Sequence, residues 1–168
     1  PLAGGVPAAI YGFTEEVSKA FAEKLSVEDS DVGGIGGTLS GNALSIAAMK
    51  ATLQNVLTEE FYSKATALQE QFTEGVQSVI KEFNLPWIVK QLGNRSEYWF
   101  RPNPPKNGGE AHSAVDPELD RYMHLYALNR SILMTPFHNM ALISPETSKA
   151  DVDYHTKVFR EAVISLFT

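Results

Sequence analysis

The sequence predicts an α/β fold in two parts, and three observations support this. Residues 1–57 offer one strand, a glycine-rich loop and one apolar helix, which is too little to close a hydrophobic core. Residues 58–168 open with a long run of apolar residues at helical spacing, and short strand-like stretches then alternate with two further helix patterns. We therefore predict that residues 58–168 form a small C-terminal α+β domain. Residues 1–57 are predicted to be the end of a larger domain.

In the first part, the short apolar stretch at residues 6–13 predicts a buried strand. Thr14 is a helix N-cap, and Glu15 and Glu16 after it place negative charge in the first helical turn, where the helix dipole favours it. A loop rich in Gly, Ser and Asp follows. Residues 42–57 carry few charges, which predicts a helix that is largely buried.

The second part begins with a predicted helix of about 25 residues that ends before Pro86, because the residue preceding a proline disfavours the helical conformation. Two strands are predicted next, at 87–93 and 96–102, around a turn at Gly93-Asn94. A loop at 103–115 and a helix capped by Asp116 follow. The last predicted elements are short strands at 131–136 and 140–144 and a helix that starts with a Ser148–Asp151 capping box.

Composition and charge exclude several classes of protein. The net charge is −6, from 14 basic and 20 acidic side chains, and no basic run alternates with aromatic residues, so we expect no nucleic-acid or membrane partner. There is no Cys, which excludes disulfides and thiolate metal sites. No two histidines have ligand spacing with an acid, so no metal is expected. No apolar stretch approaches the roughly 20 residues that span a bilayer, and we expect a cytoplasmic protein.

The stretch DVGGIGGTLSGNALSIAAMKA, residues 31–51, has the composition of an anion-binding loop. Glycine amides can approach a phosphate closely, and the N-terminus of a helix adds a favourable dipole. Thr38 and Ser40 add hydroxyl donors. The loop is not a P-loop, because no Lys follows the glycines, and Leu39 stands where a dinucleotide fingerprint needs a third Gly. By pattern alone, an ordinary surface loop fits equally well.

Two motifs in the first part resemble a known family. GGTLSGNALSIAAMKATL resembles the Gly-Thr-x-x-Gly-Asn segment of class III pyridoxal-phosphate (PLP) aminotransferases, in the branch that is similar to glutamate-1-semialdehyde aminomutase. The opening PLAGGVPAAIYGF is similar to the segment that follows the cofactor-binding lysine of that family, a Lys-x-x-Gly-Gly-Gly-x-Pro pattern. The resemblance covers the chain from end to end.

The resemblance implies a fold type I PLP enzyme that works as a homodimer with shared active sites. The lysine that forms the Schiff base with PLP would be the residue immediately before Pro1, so this chain would contain no catalytic residue. Gly37 and Thr38 would bind the phosphate of the PLP held by the partner subunit. The small-molecule partners would be an amino acid and a 2-oxo acid.

The reaction is left open by the sequence. The aminomutases carry a Pro-Ser-x-Phe-Glu-Ala-Gly-Phe stretch with Glu at the mouth of the pocket, whereas the matching stretch TPFHNMALIS has no Glu. Asn139 falls nearest that position, with His138 and Met140 beside it, so the resemblance implies that these three residues line the substrate pocket. A neutral Asn with apolar neighbours favours ping-pong transamination of an aromatic amino acid such as D-phenylglycine, with a 2-oxo acid as acceptor.

Two alternatives to transamination remain. One is the intramolecular amino transfer of a glutamate-1-semialdehyde 2,1-aminomutase, and the other is a non-catalytic α+β binding module. Arg95 and Arg101 flank a predicted strand and could bind a carboxylate, but a solvated edge is the simpler interpretation. His112, His124 and His155 are predicted to be structural.

Overall fold

A computed structural model describes residues 2–24, 36–135 and 138–168 of the chain. The chain divides into two compact units, Pro1–Thr58 and Glu59–Thr168. The helices and strands are, in chain order, α1 (Glu15–Lys24), α2 (Ala43–Asn55), α3 (Glu59–Glu82), β1 (Ile88–Leu92), β2 (Arg95–Trp99), α4 (Gly108–Ser113), α5 (Pro117–Leu128), β3 (Met140–Leu142) and α6 (Lys149–Ser165).

The two helices of the first unit begin at side-chain caps. The Val17 amide nitrogen lies 3.4 Å from Thr14 Oγ1 at the start of α1, as the sequence predicts. At the start of α2, the Ser45 amide donates to Asn42 Oδ1 at 2.9 Å. Each cap satisfies an amide that the first turn of a helix leaves without a backbone partner, so local sequence fixes where both helices start.

Two expectations for the first unit are wrong. Residues 6–13 form no strand, because a strand needs a paired ladder and no segment of the described chain pairs with them. Helix α2 contains no buried residue, and Leu44 and Ile46 are 70% and 52% exposed. Its low charge predicted burial, but burial requires an opposing surface, and the described residues of the first unit do not supply one.

The second unit is built on α3, whose 24 residues match the predicted length and end. The apolar stripe that predicts this helix is its buried face, with Phe72 2% and Val76 0% exposed. Aromatic residues at or next to the sheet and on α6 complete the core: the ring centroids of Trp87, just before β1, and Phe159 are 6.2 Å apart, and those of Tyr98 and Phe159 are 5.2 Å apart. The core therefore lies between α3, α6 and one face of the sheet.

The sheet is antiparallel, with strand order β1-β2-β3. The predicted hairpin is confirmed, since Leu92 pairs with Arg95 across Gly93-Asn94. Gly93 has a φ of +57°, which a type II′ turn requires at its first central position. Strand β3 pairs with β2 in the register Ser96↔Ala141.

Two further expectations need correction. Residues 131–135 form no strand, because their contact with β3 in the described chain is a single long backbone bond, from the Thr135 amide to the Met140 carbonyl at 3.4 Å. Pro136, the end of that predicted strand, lies outside the described residues. The predicted loop at 103–115 contains the short helix α4, because Asn107 caps it by accepting from the Glu110 amide at 2.9 Å.

Helices α3 and α6 approach each other closely at Gly75. A Cβ atom at Gly75 would lie 2.2 Å from Thr156 Oγ1 and 3.0 Å from Thr156 Cγ2. The Thr156 hydroxyl donates to the Val152 carbonyl at 3.2 Å, and rotating it away would break that bond and still leave a methyl group facing Gly75. Because protein interiors are close-packed, any side chain at Gly75 would push the two helices apart.

Gly75→Ala should destabilise the second unit by about 1–3 kcal/mol through overpacking, although Ala normally stabilises a helix interior by about 1 kcal/mol relative to Gly. The measurement is urea unfolding followed by the fluorescence of Trp87 and Trp99, which both belong to this unit. Adding Thr156→Ala removes the clashing atoms and should restore stability. A single Gly75→Ala variant that is as stable as the parent protein would contradict the packing argument.

Candidate functional site

Gly37 and Thr38, the two residues predicted to contact a phosphate, lie in a tight turn of the first unit. The Ser40 amide donates to the Gly37 carbonyl at 2.9 Å and closes this turn. Gly36 has a φ of +137°, and a Cβ atom there would lie 2.2 Å from Ser40 Oγ. Both features require glycine at position 36, so the turn depends on the glycines that suggested an anion site.

The Thr38 side chain is available to a ligand. It is exposed, and its hydroxyl makes no hydrogen bond within the described part of the chain. Helix α2 begins at Ala43, shortly after this turn, and has no acidic residue in its first turn to compete for an anion. An exposed hydroxyl near a helix N-terminus suits a phosphate group. Gly33 and Gly34, which also belong to the predicted loop, lie outside the described residues.

His138, Asn139 and Met140 lie in the second unit, at and just before the start of β3. His138 and Asn139 line one cleft of about 400 Å³, which we call the His138–Asn139 cleft. Met140 instead lines a separate groove of about 610 Å³. The structure therefore brings two of the three predicted pocket residues together, whereas the third lines a different cavity.

Asn139 is the most firmly held residue of the cleft. It is only 8% exposed, its Nδ2 donates to Asp120 Oδ1 at 2.7 Å, and its carbonyl accepts from the Tyr98 amide at 3.1 Å. Its Oδ1, however, is buried and has no hydrogen-bond partner among the residues that the structure describes. An unsatisfied buried acceptor costs about 1–3 kcal/mol of stability.

The rest of the cleft combines charged and aromatic groups. His138 Nδ1 lies 3.1 Å from Glu97 Oε1, and the His138 side chain is 56% exposed. Trp99 and Phe100 form part of the wall. Burial and, secondarily, the Asp120 carboxylate raise the pKa of the Tyr98 hydroxyl, which therefore stays protonated.

Glu97 and Asp120 are the cleft residues that the sequence analysis missed. These two carboxylates line the same cleft as Asn139, beside apolar residues such as Phe100 and Val115. Glu97 lies between Ser96 and Tyr98, which are both buried, so strand alternation could have placed it on the opposite face. No short-range sequence pattern links Asp120 with Asn139, because the two residues are 19 positions apart and come together only in the folded unit.

The other candidates occupy structural positions. Arg101 Nη1 donates to the Glu110 carbonyl at 3.0 Å, so this guanidinium already has a partner. Arg95 is exposed and does not line the His138–Asn139 cleft.

Within the described ranges, no group of three or more His, Cys, Asp or Glu could hold a metal ion. None of the described helices combines the length and the apolar character that a membrane span requires.

His155 lies at the base of the larger groove, against the core. Its ring centroid is 4.5 Å from that of Phe72 and 6.0 Å from that of Phe159. Its Nδ1 is buried and finds no hydrogen-bond partner in the described part of the chain. Burial lowers the pKa of His155 to about 4, because the charged imidazolium would lose its hydration there.

Comparison with known proteins gives the following relationships. No family model matches the chain. Glutamate-1-semialdehyde 2,1-aminomutase 2 of Halalkalibacterium halodurans is 28% identical over 162 residues, which cover 96% of this chain and 36% of that protein. The crystal structure of a glutamate-1-semialdehyde-aminomutase from Pseudomonas aeruginosa PAO1 matches with a TM-score of 0.90 and 41% identity. The match covers 98% of this chain and 37% of that chain. A variant of it has been solved in complex with PMP.

A more distant match is the crystal structure of a β-phenylalanine aminotransferase from Variovorax paradoxus. Its TM-score is 0.68 at 18% identity, over 88% of this chain and 34% of that chain, which shows a shared fold alone. The chain thus spans a little over a third of the length of the aminomutases it matches. The resemblance to the aminomutase-like branch of the class III PLP enzymes is confirmed, and so is the α/β fold of a fold type I PLP enzyme.

His155 should make the second unit less stable as the pH falls. Its pKa is about 4 in the folded state and 6.5 ordinarily, so between these values the unfolded chain binds more protons and stability rises with pH. The contribution is fully present above about pH 6.5, and about 2 kcal/mol of it should be lost between pH 7 and pH 5. The measurement is the free energy of unfolding at both pH values.

A variant with no titratable group at position 155 provides the comparison. His155→Phe should lose this part of the pH dependence, whereas His112→Gln, at an exposed position, should keep it. If the His155→Phe variant kept the full pH dependence, another group would be responsible.

Proposed function

We propose that this chain is the C-terminal part of a PLP-dependent enzyme that transfers an amino group, with residues 1–57 the end of its PLP-binding domain and residues 58–168 its small domain. The observation that carries the proposal is the similarity to glutamate-1-semialdehyde aminomutases over nearly the whole chain. In such enzymes PLP serves as the electron sink for the chemistry at the amino-bearing carbon. The lysine that holds PLP would precede Pro1.

Gly37 and Thr38 are the residues through which this chain would contact the cofactor. The turn that Gly36 permits presents the exposed Thr38 hydroxyl near the N-terminus of α2, which suits the PLP phosphate. We propose that this phosphate belongs to the PLP of the second subunit in a homodimer with shared active sites. The exposed apolar residues Leu39 and Leu44, at 78% and 70%, support an interface at this part of the first unit.

Intramolecular amino transfer of the glutamate-1-semialdehyde 2,1-aminomutase type is the first candidate reaction. The relatives carry that name, and the two carboxylates of the His138–Asn139 cleft weaken the case for an apolar pocket. Transamination between an aromatic D-amino acid such as D-phenylglycine and a 2-oxo acid is the second candidate. The aromatic walls at Trp99 and Phe100 favour it, as does the Asn in place of the aminomutase Glu. Because the named relatives are enzymes, a non-catalytic binding module has no support among them.

In the whole protein, Thr38→Ala should weaken PLP retention by about 10- to 100-fold, because a hydrogen bond to a charged group contributes about 1.5–3 kcal/mol. The measurement is spectrophotometric titration of the apoprotein with PLP. Thr38→Ser keeps the hydroxyl and should retain most of the affinity. Equal PLP affinity in the Thr38→Ala variant and the parent protein would remove the phosphate role.

The enzyme class and the reaction can be tested separately in the whole protein. Borohydride reduction, digestion and mass measurement should find a pyridoxyl group on a lysine immediately before Pro1. Turnover of glutamate-1-semialdehyde without turnover of D-phenylglycine would select the aminomutase candidate, and the reverse would select the transaminase. An unmodified residue before Pro1 would overturn the PLP proposal itself.

A further inference from the structure

Asn107 and Gly108 form the one Asn-Gly dipeptide of the sequence, and they lie at the start of α4. Both residues are exposed. The side-chain amide of an Asn can be attacked by the backbone nitrogen of the next residue, which closes a succinimide ring. A glycine in that next position favours ring closure, because it has no Cβ to crowd the nitrogen or to restrict backbone rotation. The sequence of this cap is therefore chemically reactive.

The cap of α4 polarises the carbonyl that would be attacked. Asn107 Oδ1 accepts from the Glu110 amide at 2.9 Å. When a nitrogen adds to Asn107 Cγ, negative charge develops on Oδ1, and a donor that is already in place stabilises this charge. A Cβ atom at Gly109 would lie 3.3 Å from the same oxygen, so the carbonyl group lies against the first turn of α4. The bond that starts the helix thus also activates the amide.

The attacking nitrogen has no competing hydrogen bond. Gly108 is the first residue of α4, a position at which a helix leaves the amide without a backbone acceptor. Among the residues that the structure describes, none accepts a hydrogen bond from the Gly108 amide. A Cβ atom at Gly108 would meet no other atom within 4 Å, so the space beside this residue is open. Both reacting groups are therefore accessible.

We propose that Asn107 is a site of spontaneous deamidation. The Gly108 nitrogen gives up its proton and bonds to Asn107 Cγ, and the bond from Cγ to Nδ2 then breaks with release of ammonia. Water opens the resulting succinimide at either of its carbonyl groups, which produces isoaspartate or aspartate. This inference goes beyond amino transfer, because the reaction requires only water and neither PLP nor a substrate.

The isoaspartate product loosens α4. In isoaspartate the backbone continues through the former side-chain carbonyl, so an extra methylene enters the chain and the former backbone carbonyl becomes a free carboxylate. The Ala111 amide, which donates to the Asn107 carbonyl at 3.1 Å, loses this partner, and the cap bond is lost as well. Because α4 carries Ala111 and His112, which line the His138–Asn139 cleft, deamidation alters one wall of the cleft.

The test is incubation of the whole protein at mildly alkaline pH beside a synthetic peptide of residues 103–111, which serves as the clock. When the peptide is fully converted, peptide mapping of the protein should find both isoaspartate and aspartate at position 107. An unchanged Asn107 at that time would overturn the proposal. Aspartate alone would also overturn it, because direct hydrolysis of the side-chain amide produces no isoaspartate.

Gly108→Ala is the matched variant. The open space beside Gly108 accommodates the added Cβ, so the cap should persist, while conversion at Asn107 should slow by about tenfold or more because the Cβ crowds the attacking nitrogen. Asn42 is the internal control, since it caps α2 with a bond of the same 2.9 Å and is followed by Ala43. Equal rates in the variant and the parent protein, or at Asn42 and Asn107, would contradict the mechanism.

The consequence for α4 is tested on the deamidated protein, separated from the parent form by ion exchange. Its Ala111 amide should exchange with solvent deuterium faster than in unmodified protein, because the bond to the Asn107 carbonyl is lost. Equal exchange in the two forms would overturn the loosening of α4. Neither measurement depends on PLP, so these outcomes are independent of the proposed amino transfer.

Discussion

The close approach of α3 and α6 at Gly75 is the constraint on which the second unit depends. Because no side chain separates the helices there, the buried faces of both helices can pack on the same aromatic cluster around Phe159. Helix α6 in turn positions α5, since the Tyr122 hydroxyl donates to the Ala162 carbonyl at 2.8 Å. Helix α5 carries Asp120. The position of the Asp120 carboxylate in the cleft therefore depends on the contact between α5 and α6.

A polar network fixes the hairpin on α3. Thr73 Oγ1 and Ser96 Oγ are 2.6 Å apart, and in the orientation that satisfies its neighbours the Gln69 amide donates to the Asn94 carbonyl at 2.9 Å and accepts from Ser96 Oγ at 2.8 Å. Gln69 is fully buried. Such a network fits only one register of β2, and a shift by one residue would exchange the faces of Glu97 and Tyr98. The chemistry of the cleft thus depends on a network outside it.

Features that depend on neighbouring residues were predictable from the sequence. The Asp116 and Ser148 caps, the Gly93-Asn94 turn and the buried stripe of α3 each follow from short-range rules. The strand expected at residues 6–13 and the burial of α2 both depend on partner surfaces that the sequence does not identify. The pairing of Asn139 with Asp120 also joins elements that are distant in sequence, so the resemblance placed Asn139 in a pocket without revealing the carboxylate beside it.

The exposed apolar surface of α2 has a practical consequence for handling this polypeptide. Leu44 and Leu53 of this helix are 70% and 44% exposed, and such apolar surface promotes association with other molecules in solution. The second unit has its own core and can resist heat or denaturant through it. The time for which the separate 168-residue chain stays monomeric in solution will therefore depend on self-association through the first unit. Mild detergent or a low protein concentration should slow this aggregation.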